Sequence, residues 1–364
     1  MRVGFLSSWD ERCGIADYSR SLVDALRRRA EVDVVPATFR RSPKELYRAM
    51  GKALSAGDVA HVQHSYTFFG GLHPLHSAWS ALAGAIRRPL LVTVHELDLR
   101  ATGATPLPSA LEQAYKRRFN RSVFLHPAIG GWMVHAAVLR ASLMELGAPP
   151  ERVVYRPMPI PAAGPAPDPA PLRRRLGLEG KRPLVILGFL ARRKGYDLAL
   201  EALRRLPAEF VLVAAGGEHA ADRSGTESWL REQAAARGLS ERLRITGYLS
   251  EAELEQATAL AEVVLAPFTE MSASASLNYA LARGKAVVAS DLPENRRLEC
   301  LRLFPTGDAA ALAEAVRELA GSPGLRAALS RAALDYAAGH SYDALAEETL
   351  ALYRELLSRA ALPR

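Results

Sequence analysis

Leu265-Ala266-Pro267-Phe268-Thr269-Glu270, continued by Met271-Ser272-Ala273-Ser274-Ala275-Ser276-Leu277-Asn278, reads as a strand, an acidic loop and the small-residue start of a helix. The apolar run before Pro267 has the length of a buried strand, and the helical period continues through Tyr279-Ala280-Leu281-Ala282-Arg283-Gly284. A helix that opens in small residues aims free backbone N–H groups at an anion and leaves the anion room to approach. The Glu270 carboxylate beside it cannot favour a phosphate, but it can accept hydrogen bonds from sugar hydroxyls. An anion site next to a polyol site fits a nucleotide-sugar.

Working outward, the same alternation fills the second half of the chain. Leu184–Gly188, Phe210–Gly216, Arg244–Tyr248, Val263–Pro267, Ala286–Ser290 and Arg302–Phe304 read as strands. Tyr196–Arg205, Glu227–Arg237, Glu251–Ala261, Leu277–Arg283 and Ala309–Leu319 read as helices. The first half repeats the pattern, with strands at Arg2–Ser7, Val32–Pro36, Val59–Gln63, Leu90–His95, near Ala128–Gly130, and at Val153–Tyr155. Helical periods lie between them at Tyr18–Arg29, Pro43–Ala53, Leu75–Ile86 and Leu111–Arg121. Strands rich in Val, Ile and Leu on both faces are covered on both sides, as in a parallel sheet flanked by helices.

Prolines 157, 159, 161, 165, 167, 169 and 171 interrupt this pattern, and so dense a run reads as a stiff extended linker. The expected division is a first Rossmann-like domain over 1–160, a linker over 161–180 and a second Rossmann-like domain over 181–341. The last periodic segment, about 342–364, is expected to pack back on the first domain. Two doubly wound α/β sheets of this kind bind ligands at the carboxyl ends of their strands, so the expected site is a cleft between the two.

With 364 residues the chain is too long for one average core. No run reaches the roughly eighteen apolar residues of a membrane span, and Met1–Leu6 leads straight into a strand without a signal-peptide layout. Two cysteines, Cys13 and Cys300, make no disulfide framework, which points to the cytoplasm. The net charge of +8 is spread along the chain, and no nucleic-acid motif accompanies it. Gly-x-Gly-x-x-Gly after the first strand and the Gly-x-x-x-x-Gly-Lys-Ser/Thr loop are both missing, which argues against a dinucleotide oxidoreductase and a P-loop enzyme.

In the second half, Leu187-Gly188-Phe189-Leu190-Ala191-Arg192-Arg193-Lys194-Gly195-Tyr196 ends a strand, passes through three adjacent cations and starts a helix. Cations at a strand's carboxyl end suit a diphosphate whose charge grows as it leaves. This loop, Ile245-Thr246-Gly247-Tyr248-Leu249-Ser250-Glu251, Leu265–Glu270 and Ala282-Arg283-Gly284-Lys285-Ala286-Val287-Val288-Ala289-Ser290-Asp291 follow one another in a telling order. Gly14-Ile15-Ala16-Asp17-Tyr18, Gln63-His64, Phe69-Gly70-Gly71 and Thr93-Val94-His95-Glu96 precede them. Taken together, they resemble the retaining GT-B glycosyltransferases of family 4, glycosyl transferases group 1, over nearly the whole chain.

The resemblance implies two Rossmann-like domains facing across a cleft, and transfer of a hexose from a nucleoside-diphosphate sugar, UDP- or GDP-linked, to an acceptor hydroxyl. It implies that Lys194, with Arg192 or Arg193, holds the diphosphate, and that the N–H groups of Ser276 and Leu277 face it. Gly14 would let the first loop come close to it. Glu270 would bind donor-sugar hydroxyls, and Gly247, Tyr248 and Leu249 the base. His95 would lie near the reacting carbon, with Tyr18, Gln63 and His64 on the acceptor side. The acceptor would be a glycan, a lipid-linked glycan or a small molecule. No cofactor and no metal are expected, since no Asp-x-Asp motif occurs. The chain departs from the family pattern in three places. Asn278 stands where a second glutamate binds the ribose, Phe189 where an arginine is usual, and Met271-Ser272-Ala273-Ser274 where Gly-Phe-Gly follows the first glutamate.

Three other groups carry expectations. His61, His64, His73 and His76 crowd one region and hint weakly at a metal, though cleft lining is the simpler reading. Tyr115, Lys116, Arg117, Arg118, Phe119 and Arg121 form a basic aromatic patch suited to peripheral contact with the inner face of a membrane, or to a solvated helix face. Glu96 reads as structural. A nucleotide-sugar epimerase and a sugar-nucleotide binding protein without transfer are the competing functional classes.

Overall fold

The computed structural model describes residues 1–10, 13–37, 43–71, 78–99, 108–218, 225–270 and 274–361. The chain divides into two compact units, Met1–Pro159 with Tyr342–Arg364, and Ile160–Ser341.

In the first unit, β1 (Arg2–Ser8), α1 (Gly14–Arg27), β2 (Glu31–Ala37), α2 (Lys44–Leu54) and β3 (Val59–His64) are followed by α3 (Trp79–Ala83) and β4 (Leu90–Val94). Then come α4 (Ser109–Phe124), β5 (Ile129–Val134), α5 (Ala137–Leu146) and β6 (Val153–Tyr155). The second unit runs α6 (Ala170–Arg175), β7 (Arg182–Leu187), α7 (Tyr196–Leu203), β8 (Phe210–Ala215), α8 (Thr226–Ala236), β9 (Leu243–Ile245) and α9 (Glu251–Leu260). It continues with β10 (Val263–Ala266), α10 (Ala275–Ala282), β11 (Val287–Ser290), β12 (Leu301–Phe304), α11 (Ala309–Gly321) and α12 (Pro323–Gly339). The last helix, α13 (Tyr342–Ala361), belongs to the first unit and packs on α1.

Each unit holds a six-stranded sheet, ordered β2-β1-β3-β4-β5-β6 in the first and β12-β11-β10-β7-β8-β9 in the second. Every recorded strand pair is parallel. Burial on both faces follows from the apolar runs. In β7, Leu184 and Ile186 enter one core while Val185 and Leu187 enter the other. In β10, Val263 and Leu265 alternate with Val264 and Ala266 in the same way. The strand order of the second unit reverses between β7 and β10, and such a reversal opens a crevice beyond the strands' carboxyl ends. The first unit reverses between β1 and β3.

The proline-dense stretch corrects the expectation of a linker over 161–180. Ile160 pairs with Ser341, and Leu172 and Leu178 are buried in a core of the second unit. Pro171 sits in the first turn of α6, where its missing N–H would have had no helical partner in any case, so it starts a helix instead of preventing one. Three helices, α5, α6 and α12, lie outside the sequence expectations. The expected helix from Leu75 is confined to α3, and residues 75–77 lie outside the described residues.

Ser250 opens α9 with a capping box. Its hydroxyl accepts from the Glu253 N–H, and the Glu253 carboxylate accepts from the Ser250 N–H at 2.9 Å. The cap fixes where α9 begins, immediately after the Gly247–Leu249 turn. Ser250→Ala should therefore lower unfolding stability by about 1 kcal/mol, read from the urea midpoint at unchanged m.

Candidate active site

At the strand reversal of the second unit, three segments converge. Beyond β7, Gly188 presents the side where a Cβ would stand to Lys194 Nζ, at 2.9 Å, and to Ser276 Cβ, at 3.4 Å. A 3₁₀ turn, Arg192–Lys194, follows, and Gly195 then enters α7. The loop after β10 is fastened to this turn: the Thr269 N–H donates to the Arg193 carbonyl at 2.9 Å, and Lys194 Nζ stands 6.0 Å from the centre of the Phe268 ring. Glu270 is the next residue after Thr269 and is exposed. The cation, the helix N-terminus and the acidic loop that the sequence pointed to are therefore neighbours within one unit.

Lys194 is only 7% exposed, and its ammonium donates to the Leu187 carbonyl. Burial, assisted by the charge of Arg193, lowers its pKa to about 7. The other two cations are placed differently. Arg192 is exposed, with its guanidinium 4.7 Å from the centre of the Trp229 ring on α8, while Arg193 is exposed and offers its carbonyl to Thr269.

At α10, Ser274 caps the helix: its hydroxyl accepts from the Leu277 N–H at 3.2 Å and lies 3.1 Å from the Ser276 hydroxyl. This corrects one expectation, because the Leu277 N–H is already engaged by the cap. The Ser276 side chain lies beside Gly188, its Cβ at 3.4 Å and its hydroxyl oxygen at 3.9 Å from where a Gly188 Cβ would stand. Asn278 is buried at 8% in the first turn of α10. At the end of β9, Gly247 turns with φ +70°, Tyr248 is 70% exposed, and Leu249 is buried in the core. The ends of β7, β8 and β9 are laced together, with Leu190 N–H donating to Gly217 O at 2.9 Å and Gly216 N–H to Thr246 Oγ1 at 3.0 Å. Phe189, in the position where the family has arginine, is 45% exposed beside them.

In the first unit, Gly14 is exposed at the start of α1, and the Cys13 thiol caps that helix by accepting from the Ala16 N–H. His95 follows β4 and is half-buried; its Nε2 lies 2.8 Å from Gln63 Oε1. Tyr18, buried on α1, has its ring edge-on to His95 at 5.3 Å, and its hydroxyl lies 2.8 Å from His135 Nε2. The Nδ1 of His135 faces the Arg156 carbonyl at 2.9 Å, so Nδ1 carries the proton and Tyr18 donates to Nε2. Sequence reasoning did not single out His135, since nothing local separates it from the other histidines. Burial lowers the pKa of His61 to about 3, of His135 to about 4, and of His95 well below its ordinary value, so all are neutral imidazoles.

His64 is a correction. Successive residues of β3 face opposite sides, and His64 lies on the other side from Gln63, 1% exposed among Tyr66, Phe69, Trp79 and Phe124. It packs the core and cannot line an acceptor site. His73 and His76 lie outside the described residues. Glu96 accepts from the Ser65 hydroxyl at 2.6 Å and the Tyr66 N–H at 2.7 Å, holding the turn after β3. The basic aromatic group on α4 is divided between buried and exposed side chains. Lys116 is buried between Asp98 at 2.7 Å and Glu112 at 3.1 Å, Arg117 pairs with Glu145, Arg121 bonds the Leu146 carbonyl and Phe119 is buried. Arg118 and Arg121 are exposed on the same helix. No helix among the described residues is long and apolar enough to cross one.

Residues 181–322 match the family model described as Glycosyl transferases group 1. Similar solved structures include HepE of Anabaena in complex with UDP and glucose, with 16% identity over 96% of this chain and 99% of that one and a TM-score of 0.76. Sucrose-phosphate synthase of Thermosynechococcus elongatus has 16% identity over 99% and 100%, with a TM-score of 0.72. The trehalose-6-phosphate enzyme of E. coli bound with UDP-2-fluoro glucose has 12% identity over the whole of both chains, with a TM-score of 0.69. No curated protein matches in sequence. The two parallel-sheet units have the GT-B fold, and the chain is a glycosyltransferase by class. Its second unit is a glycosyl transferases group 1 domain, the family that the sequence resembles.

Proposed function

We propose that the chain transfers a hexose from a UDP-sugar to an acceptor hydroxyl with retention of anomeric configuration. The observation that carries this reading is that Lys194 and Ser276, at the start of α10, meet at Gly188, while the Glu270 loop is fastened to Arg193 beside them. A departing diphosphate gains charge as the glycosidic bond breaks, and a buried ammonium beside a helix N-terminus stabilises that charge most when it is greatest. Glu270, one residue beyond the fastened Thr269, accepts hydrogen bonds from the sugar hydroxyls. The acceptor attacks the face that the diphosphate leaves, through an oxocarbenium-like state. His95 in the first unit contributes an uncharged imidazole on the acceptor side.

Of the two donor nucleotides considered, uridine has the better support, because similar structures are described in complex with UDP, UDP-glucose and UDP-2-fluoro glucose. A binding protein without transfer is the second reading, motivated by Asn278 in place of an acid. A thermal-shift panel of UDP-, GDP- and ADP-sugars tests the donor. A ligand at one hundred times its Kd adds about 2.7 kcal/mol of apparent stability. UDP-glucose is expected to raise Tm and to release UDP slowly in water. Glu270→Ala should bind UDP as wild type does but lose the extra stabilisation that the glucose supplies. Absence of a shift with every nucleotide would refute the donor reading, and a shift without any UDP release would favour the binder.

A further inference from the structure

A chain of hydrogen bonds runs from the C-terminal helix to His95. Tyr353 on α13 is fully buried, and its hydroxyl lies 2.6 Å from His61 Nδ1 on β3. His61 Nε2 lies 2.7 Å from Thr93 Oγ1 and 3.1 Å from Gln63 Nε2, and Gln63 Oε1 lies 2.8 Å from His95 Nε2. An amide nitrogen only donates and an amide oxygen only accepts, so the glutamine gives the chain a direction. Gln63 donates to His61 Nε2, which is therefore bare. The His61 proton then sits on Nδ1 and is donated to Tyr353. At the other end His95 must donate from Nε2 to Gln63 Oε1, and its Nδ1 is bare.

We propose that Gln63, His61 and Tyr353 are positioning residues that hold His95 as its Nε2–H tautomer and present its Nδ1 as a hydrogen-bond acceptor for a substrate hydroxyl. The tautomer half of this proposal stands on the geometry alone, whereas the hydroxyl half rests on the transferase reading above. A neutral imidazole free in water exchanges tautomers readily. Here a change of tautomer at His95 requires the Gln63 amide to turn over and the proton on His61 to move to Nε2. Among the described residues, the ionisable side chains that bear on His95 are His135, His64 and His61, with the Tyr18 ring packed edge-on, and none of these neutral groups brings a charge that competes to set its proton. His95 so held accepts from a sugar or acceptor hydroxyl and cannot donate to one from Nδ1. Helix α13, which follows the second unit in the chain but belongs to the first, closes the far end of the relay.

Long-range ¹H–¹⁵N spectra of histidine-labelled protein, with the His95 signals assigned by their loss in His95→Asn, read the tautomer directly. The full chain without ligand is expected to show His95 protonated on Nε2 and bare on Nδ1. Gln63→Met keeps the volume and removes both bonds; it should give a tautomer mixture, a kcat about tenfold lower and an unchanged UDP affinity. Tyr353→Phe removes the acceptor for the His61 Nδ1–H. His61 should then carry its proton on Nε2 toward Thr93, turn the Gln63 amide, and move the His95 proton to Nδ1. A purely structural role would lower Tm in these variants without moving the His95 proton. A wild-type His95 protonated on Nδ1 overturns the proposal, as does a folded Tyr353→Phe with an unaltered His95 tautomer. If the tautomer moves as expected but no transfer is found with any sugar nucleotide, the relay stands and the transferase reading fails. Transfer that persists with an unaltered tautomer fails the relay alone.

Discussion

Replacing Lys194 by alanine should lower kcat/KM for transfer roughly 10²–10³-fold, the usual loss when one charge-stabilising donor is taken from a reacting centre. The fold should survive the change, because the folded protein gains little from this ammonium. It is buried with a pKa of about 7, against an ordinary value of 10.5. Between pH 7 and 10.5 the unfolded chain therefore binds more protons than the folded one, and stability rises with pH across that window. Below pH 7 the folded state holds the charge, and the cost of burying it is fully present. Lys194→Met, which keeps the apolar stem, should hold or raise Tm at pH 6 while losing activity, and the difference from wild type should shrink toward pH 10.5. The same titration shapes donor binding. A diphosphate restores the ammonium by taking up a proton, so donor KM should rise above pH 7, approaching about tenfold per pH unit. A Lys194 variant with near wild-type kcat/KM, or a wild-type KM flat from pH 7 to 9, would remove Lys194 from the reaction.

Such a prediction could be framed from the sequence only in part. The strands of the second unit were legible because Leu184–Leu187, Phe210–Ala215 and Val263–Ala266 are apolar on both faces, and the loops after them carry the cations and the acid. Those signals are local, and the site of the second unit is built from loops a few residues long. The burial of Lys194 was not legible, since an Arg-Arg-Lys run reads as solvated and only the packing of Gly188, Phe268 and Ser276 encloses its last member. Helix α12 was missed for a related reason. Its alanine-rich sequence carries only a thin apolar stripe, Leu325, Leu329, Ala332 and Tyr336, half-buried, and only Ala333 of it is fully buried. The weak signal at β5 comes from Gly130 and Gly131, which break the apolar run where Leu356 of α13 comes close. The relay through His61, Gln63 and His95 depends on Tyr353, 292 residues from His61, and no local pattern announces a partner at that distance.

Gly195→Ala is the second change from which we expect a large effect, and here the loss should fall on stability and donor binding together. Gly195 has φ +71°, which costs an L-residue about 1–2 kcal/mol. Its missing side chain is also where the Pro267 backbone passes, so that a Cβ would run into the Pro267 carbonyl oxygen. Neither partner can yield cheaply. Pro267 continues the central strand β10, while Gly195 begins α7, whose Tyr196 and Leu200 are fully buried. Relief requires the loops after β7 and β10 to separate, which stretches the Thr269-to-Arg193 hydrogen bond and moves Lys194 away from Glu270's loop. Backbone strain and overpacking together should amount to about 2–5 kcal/mol, seen as a lower urea midpoint, with nucleotide stabilisation lost even where the protein remains folded. Gly247→Ala provides the comparison. Its φ of +70° is nearly the same, but a Cβ there meets nothing within 4 Å. It should incur the backbone cost alone, about 1–2 kcal/mol, and the difference between the two variants isolates the close approach of the two loops. Equal losses at both positions would mean that the contact between Gly195 and Pro267 does not hold the site together.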